Sequence, residues 1–256
     1  MKFVWLYVDD EKNRMDLFIS MLSVHLCFRG TPEFVVVGDI PSWFSGIKIP
    51  MSQVSPKEAR TKAKTLNVRR YVDTMIKMHA AATAMAGDTF CWMMDDQVFC
   101  RQFWMDDIYY IRTDPDWKPR HRIYDNIARE TLMRIPGSVM CATHMPQVFS
   151  ATKMLEMYDY LGMPNRLAIF DAAYGNFVKE SLLTPLGSFG VRVIKAVSNH
   201  SGVYESLKSG RQFVVNWTDE GMQCKGLRQY LKDLLCLETS LIGPLPFASS
   251  IPTFSL

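Results

Sequence analysis

The residues with the clearest chemical potential lie in the stretch Phe90-Cys91-Trp92-Met93-Met94-Asp95-Asp96-Gln97-Val98-Phe99. An apolar run ends abruptly there in two adjacent carboxylates. A buried strand accommodates such a run, and open α/β sheets bind ligands beyond the carboxyl ends of their strands. Two carboxylates at that edge repel each other unless a cation, a phosphate-bound metal or solvent relieves them. The same residues also suit a type I turn after a strand, where Asp is common. The pair alone leaves both readings open. A second acidic pair, Asp9 and Asp10, closes the apolar run from Phe3 to Val8 in the same manner.

The elements that must position these acids follow from the pattern around them. Phe3 to Val8 reads as a buried strand, Met15 to Phe28 as a helix stopped by Gly30 and Pro32, and Glu33 to Val37 as a second strand. Gly38-Asp39-Ile40-Pro41 turns the chain, and Ile47 to Met51 forms a short third strand. Ser55-Pro56-Lys57-Glu58 is a helix start with a capping box. Leu66, Val68, Tyr71, Val72, Met75, Ile76 and Met78 give that helix a packed face, and Gly87 ends it before the strand into Asp95. Strands alternating with helices predict a mixed, mainly parallel sheet with helices over it. Beyond Phe99 the spacing predicts a strand over Gly137 to Ala142, helices over Ser150 to Leu161, Asp171 to Leu182 and Leu227 to Leu235, and a strand over Gly187 to Ser198. The segment from Gly243 to Leu256 reads as irregular. A shift in pattern near residue 100 divides a donor half, 1–100, from an acceptor half, 101–256, within a single domain.

Bulk composition excludes several classes. With 48% apolar and 21% charged residues the chain suits a soluble globular protein. A net charge of +3 is too small to mark a nucleic-acid binder by itself. None of the six cysteines, Cys27, Cys91, Cys100, Cys141, Cys224 and Cys236, forms a C-x-x-C pair, so a zinc ribbon or thioredoxin-like motif is excluded. Several of them sit in apolar runs, as buried thiols do. No run reaches the roughly 18 apolar residues that span a bilayer. The expected setting is reduced and cytoplasmic, with no membrane partner.

The Asp-Asp-Gln ending resembles the metal motif of glycosyltransferases with the GT-A fold. The basic segment Lys57 to Val68, the Ala86-Gly87-Asp88 turn and Met94-Asp95-Asp96 together are similar to the donor half of those enzymes. A more particular likeness is to Stealth-type sugar-phosphate transferases. It is carried by Tyr7-Val8-Asp9-Asp10, by Val37 to Phe44, by Asp95 to Phe99 and by Thr143-His144-Met145-Pro146-Gln147, with a weaker match over Asn216-Trp217-Thr218-Asp219 and Leu227 to Leu235. The blocks stand in the family's order and cover most of the chain. Met94 stands where Stealth proteins carry Asn, and the nearest counterpart of their later Arg is Arg166.

The resemblance implies a GT-A-like fold, a nucleotide-diphosphate-sugar donor, and Mn2+ or Mg2+ as cofactor. Asp96 is then a metal ligand, with Asp95 on metal or ribose, and His200 is a candidate late metal ligand. Asp9 and Asp10 would meet nucleobase or ribose, although they also suit a helix cap. Asn67, Arg69 and Arg70 would touch diphosphate or sugar, Arg offering a planar fork for phosphate; a solvated helix face is the alternative. His144 is a candidate general base or metal ligand, and Asp171 a candidate catalytic carboxylate or helix cap. Arg166 is a candidate substrate contact. His25 and His79 read as packing or surface residues. The chemistry expected is metal-dependent transfer of a sugar to an acceptor hydroxyl. Transfer of a sugar 1-phosphate to a glycan and a non-catalytic binding module of the same fold are the alternatives. Arg112, Lys118, Arg120, His121, Arg122, Arg129 and Arg134 are interleaved with Tyr109, Tyr110, Trp117 and Tyr124. Such a stretch can follow a phosphate backbone and stack bases. The acceptor is therefore a glycan or a hydroxymethylated base in DNA.

Overall fold

A computed structural model describes residues 1–10, 13–55, 57–58, 69–109, 111–113, 118, 123–135, 139–141, 145–163, 166–178, 183–185, 191–194, 202–218, 220–241 and 245–250. The chain begins with β1 (Lys2–Tyr7), α1 (Asn13–Cys27), β2 (Glu33–Gly38) and β3 (Ile47–Pro50). Then come α2 (Arg69–Ala84), β4 (Thr89–Met93), β5 (Gln97–Phe99), the short α3 (Met105–Ile108), β6 (Ile111–Thr113) and α4 (Ile123–Leu132). The remaining elements are β7 (Gln147–Ser150), α5 (Ala151–Leu161), α6 (Phe170–Val178), β8 (Leu183–Pro185), β9 (Val191–Ile194), α7 (Val203–Lys208), β10 (Val214–Trp217) and α8 (Lys225–Leu241).

The main sheet has five strands in the order β3-β2-β1-β4-β7. Its first four strands run parallel, and β7 closes the edge antiparallel to β4. Strand alternation divides the core between its faces. Phe3, Trp5, Tyr7, Phe34 and Val36 pack with Leu17, Phe18, Met21 and Leu22 of α1. Val4, Val35, Val37, Phe90 and Phe149 pack on the opposite face with Met75 and Met78 of α2, Met154 and Tyr158 of α5, and Ala173 of α6. A second sheet, β5-β10-β9, leans on α7 and α8 through Val98, Val215, Leu207 and Leu231. The helix starts use ordinary caps. Ser55 Oγ accepts from Glu58 N at 3.2 Å, and Ser150 Oγ accepts from Lys153 N at 3.4 Å.

Three expectations change. The described part of the strand expected over Gly137 to Ala142 makes only an isolated bridge, Cys141 to Thr113. The edge position belongs instead to β7, whose buried Gln147 masks its strand character in the sequence. Helix α8 runs to Leu241, beyond the expected end at Leu235. The tail is irregular, as expected, where it is described, and it is pinned to the core. Ser45 N donates to the Phe247 carbonyl at 2.9 Å and Ser249 N to the Trp43 carbonyl at 2.8 Å. The Phe247 ring is fully buried, 4.7 Å from Phe34 and 5.7 Å from Phe18 between centroids. All six cysteines are free, and no helix among the described residues is long and apolar enough to cross a membrane. His25 and His79 do pack, against Phe247 and Tyr158.

Phe247→Ala should cost about 3–5 kcal/mol, because a buried ring leaves a cavity that its aromatic neighbours cannot fill. Urea unfolding of the whole chain measures this. A loss below about 1 kcal/mol would show that residues 245–250 do not belong to the core.

Candidate functional site

The acidic pair sits on a tight turn that leaves β4 and enters β5. Gln97 N donates to the Met94 carbonyl at 3.2 Å, which closes the turn around Asp95 and Asp96. Gln97 reinforces it with its side chain, Oε1 accepting from Met94 N at 3.0 Å. Helix α1 supports the turn from behind. Ser20 Oγ donates to the Met94 carbonyl at 3.3 Å and itself accepts from Trp5 Nε1 at 2.9 Å. Ser23 Oγ accepts from Phe99 N at 3.1 Å and donates to the Ser20 carbonyl. Ser20, Ser23 and Gln97 are fully buried. The type I turn and the ligand edge proposed from sequence are thus compatible: the acids occupy a turn, and that turn is partly buried at a cavity wall.

The cavity has a volume of about 680 Å³. It opens at the carboxyl ends of β1 and β4, on the α2 face of the sheet. Arg70, Tyr71 and Thr74 from the first turns of α2 form one wall, and Tyr124 and Asp125 from the start of α4 form another. Trp92, Asp95 and Asp96 line the strand edge, and Phe170 and Asp171 at the start of α6 complete the lining. Tyr71 and Tyr124, from different helices, bring their ring centroids to 6.0 Å. The Arg70 guanidinium lies 4.8 Å from the Tyr71 ring centroid and donates to the Tyr71 hydroxyl at 2.6 Å. Trp92 meets Phe170 edge-on at 4.9 Å. Acidic and aromatic side chains therefore share the lining.

Asp171 is buried, its Oδ1 accepting from Ala172 N at 2.9 Å. Burial pushes its carboxyl up to about 7, and the backbone N–H only partly offsets this. A carboxyl with that proton affinity exchanges a proton near neutral pH, as a general base or acid must.

Of the residues singled out from sequence, Arg70, Asp95, Asp96 and Asp171 converge on this one cavity. Asp9 and Asp10 lie exposed past the end of β1, outside its lining. Asp9 is held by a hydrogen bond from Tyr7 Oη to its Oδ1 at 3.3 Å, and its own N donates to Asp39 Oδ2 at 2.9 Å. Arg69 turns away: its guanidinium donates to the Val54 carbonyl and to Gln53 Oε1, because adjacent helix positions face different directions. Arg166 is exposed on the chain after α5 and does not line the cavity. Asn67, His144 and His200 lie outside the described residues. Tyr71 reads from the sequence as part of a packed helix face, and Asp125 is not singled out. Their joint signal was faint: each stands in the first turn of a helix, where side chains reach a strand edge.

Asp95 and Asp96 supply hard oxygen ligands from a single turn, a donor set that fits Mg2+ or Mn2+. Among the described residues no group of three His, Cys, Asp or Glu is gathered for a metal ion. Any further ligand comes from a nucleotide, from solvent or from elsewhere in the chain.

No protein-family model and no curated protein sequence matches the chain. Solved structures do. An active-site mutant of LgtC aligns with a TM-score of 0.54 at 12% identity, covering 98% of both chains. The galactosyltransferase LgtC in complex with donor and acceptor sugar analogs aligns with a TM-score of 0.54 at 13% identity, again over 98% of both chains. The fold is that of the GT-A glycosyltransferases. In this GT-A frame the acidic turn occupies the carboxyl edge of the central parallel strands, with the cavity directly beside it.

The raised Asp171 carboxyl has a measurable consequence. The native state holds its proton between about pH 4 and pH 7, whereas the unfolded chain releases it near the ordinary value of 3.8. Stability from this group is therefore lost as pH rises through that window. Asp171→Asn keeps the acceptor for Ala172 N and removes the ionisation. The melting temperature of the variant should gain on that of the wild type from pH 4 to pH 8. A difference independent of pH would show that Asp171 does not titrate in that range.

Proposed function

We propose that the protein is a metal-dependent glycosyltransferase that moves a sugar from a nucleotide-diphosphate-sugar to a saccharide hydroxyl. The observation that carries this is the meeting of Asp95, Asp96, Arg70 and Asp171 around one cavity at the ligand edge of a GT-A fold. Residues 1–100 form the donor half in this reading, with Asp9 and Asp10 toward the nucleoside. Residues 101–256 form the acceptor half.

The chemistry follows from placement. The acceptor oxygen attacks the anomeric carbon, and the bond from that carbon to the diphosphate oxygen breaks with its electron pair on the leaving group. The acceptor proton passes to Asp171, whose proton affinity suits neutral pH. A divalent cation on Asp95 and Asp96 would neutralise charge growing on the diphosphate. Arg70 adds a forked donor for phosphate oxygens. The aromatic side chains of the lining pack the apolar face of a sugar ring, while the acids accept hydrogen bonds from its hydroxyls.

A saccharide acceptor is favoured over DNA by charge. Among the described residues, the lining carries Asp95, Asp96 and Asp125 against the single guanidinium of Arg70, while Asp171 holds its proton up to about neutral pH. A polyanion approaching Asp125 is repelled. A donor diphosphate escapes this because its cation accompanies it. The same balance favours transfer of the sugar over transfer of a sugar 1-phosphate, as the Stealth likeness would have it, since the latter carries the phosphate across the cavity.

Thermal melting with a panel of nucleotide-sugars, with and without Mn2+, tests the reading. At about a hundred times Kd a donor stabilises the native state by ~2.7 kcal/mol, a shift of several degrees for a chain of this length. One donor should raise the wild-type midpoint only with Mn2+, and Asp96→Ala should abolish the rise. Silence toward every donor would leave the binding-module reading in its place.

A further inference from the structure

Beneath the donor edge lies a buried ion pair that the proposed chemistry does not use. Lys77 and Asp73, one turn apart on α2, are both buried, with Nζ 2.9 Å from Asp73 Oδ2. Removing two charges from water is costly, and a well-packed apolar pair of similar volume is often as stable or more so. The pair's other bonds indicate what it holds. Lys77 Nζ donates to the carbonyl of Tyr7, the last residue of β1, at 3.0 Å. Asp73 Oδ1 accepts from Val54 N at 2.8 Å. The Tyr7 carbonyl also accepts from Asp39 N at 3.2 Å, and Asp39 Oδ2 in turn takes Asp9 N at 2.9 Å.

The backbone leaves room for this ammonium. Gly38, the last residue of β2, has φ +123°, and a Cβ there would stand 2.1 Å from the Tyr7 carbonyl and 3.0 Å from both Cε and Nζ of Lys77. No other residue tolerates that conformation and that approach together. On the same helix, Thr74 follows Asp73 directly, and Arg70 and Tyr71 precede it within one turn; all three line the cavity. The pair thus ties the cavity wall of α2 to the carboxyl ends of β1 and β2.

We infer that Lys77, with Asp73, is a positioning residue for the nucleotide end of the donor. It sets the β1 and β2 ends, and through Asp39 the Asp9 backbone, at a fixed distance from Arg70. This rests on the transferase reading. It differs from a purely structural role, because the groups held are the edge on which the nucleoside would lie.

The test compares wild type, the apolar pair D73L/K77M, the neutral pair D73N/K77Q and, should the apolar pair fail to fold, D73N/K77M, which keeps the acceptor for Val54 N but lacks a donor for the Tyr7 carbonyl. The neutral pair keeps a donor for the Tyr7 carbonyl and an acceptor for Val54 N. Readouts are melting temperature, Mn2+ affinity from the electron paramagnetic resonance of free Mn2+, affinity for the nucleotide-sugar that gives the Mn2+-dependent shift, and amide exchange at Asp9 and Asp39. In D73L/K77M the nucleotide-sugar should bind roughly tenfold more weakly, the scale seen when a supporting hydrogen bond is lost. Exchange at Asp9 and Asp39 should quicken, while Mn2+ affinity and melting temperature hold. D73N/K77Q should recover most of the affinity. Wild-type affinity and wild-type exchange in D73L/K77M would overturn the inference. So would an equal loss of Mn2+ affinity, or failure of the apolar pair to fold joined to undiminished donor affinity and unchanged exchange in D73N/K77M. A wild type silent to every donor would count against the transferase reading instead, and exchange at Asp9 and Asp39 would still decide the positioning claim.

Discussion

Two like charges on one tight turn are the constraint around which this molecule is arranged. Adjacent aspartates at a strand end repel, and the turn that carries them would open if only its own backbone held it. Here it is closed three times, by the Gln97 N–H, by the Gln97 side chain and by Ser20 of α1. Burying Ser20, Ser23 and Gln97 requires that each find a partner, because an unpaired buried polar group costs about 1–3 kcal/mol. Trp5 and Phe99 supply partners for the two serine hydroxyls, and Met94 N supplies one for Gln97 Oε1. The polar spine of α1 and the acidic turn therefore stabilise each other. The aromatic packing of Phe3, Trp5 and Phe18 around them keeps water out of that arrangement.

Sheet order then does the placing. Because β1 and β4 are parallel neighbours, Asp9 and Asp10 past the end of β1 lie on the same edge of the sheet as Asp95 and Asp96. Helix α2 crosses from that edge over Val4, Val35 and Val37, so its first turns overhang the strand ends. The antiparallel β7 carries the chain back, and α5 and the connection after it return it to the same edge, where α6 starts with Phe170 and Asp171. An acid from residue 171 and a pair from residues 95 and 96 thereby share a cavity without any local sequence relation.

That last point explains what the sequence could and could not reveal. The run into Asp95 is apolar on both faces, as a central parallel strand must be, so β4 and its acids were legible. So were β1, α1 and the helix over Ser150 to Leu161, each with its own local signal. Strand β7 was not. Its Gln147 is polar yet buried, and the apolar residues around Met140 and Cys141 drew the strand assignment upstream, although there they fill the spaces beside α4 and α6. Arg70 was legible as a basic residue on a helix before the acidic strand, but its neighbour Arg69 looked identical. Only the helix phase, with Gln53 and Val54 on one side, separates them. The meeting of Tyr71 with Tyr124 is tertiary and leaves no mark in either local segment.

The acids and the aromatics of the cavity are connected by more than proximity. Asp171 is buried next to Phe170, which meets Trp92. Burial raises its proton affinity. The surface that would pack a sugar ring is therefore also part of what keeps water from the one carboxyl suited to take a proton near neutrality. Asp95 and Asp96 line the same cavity from a half-buried turn, a pair of hard oxygen donors that suits a divalent cation. Asp171 is buried where Asp95 and Asp96 are half-buried, a difference between chemically identical side chains that comes from where β4 ends and α6 starts rather than from any motif.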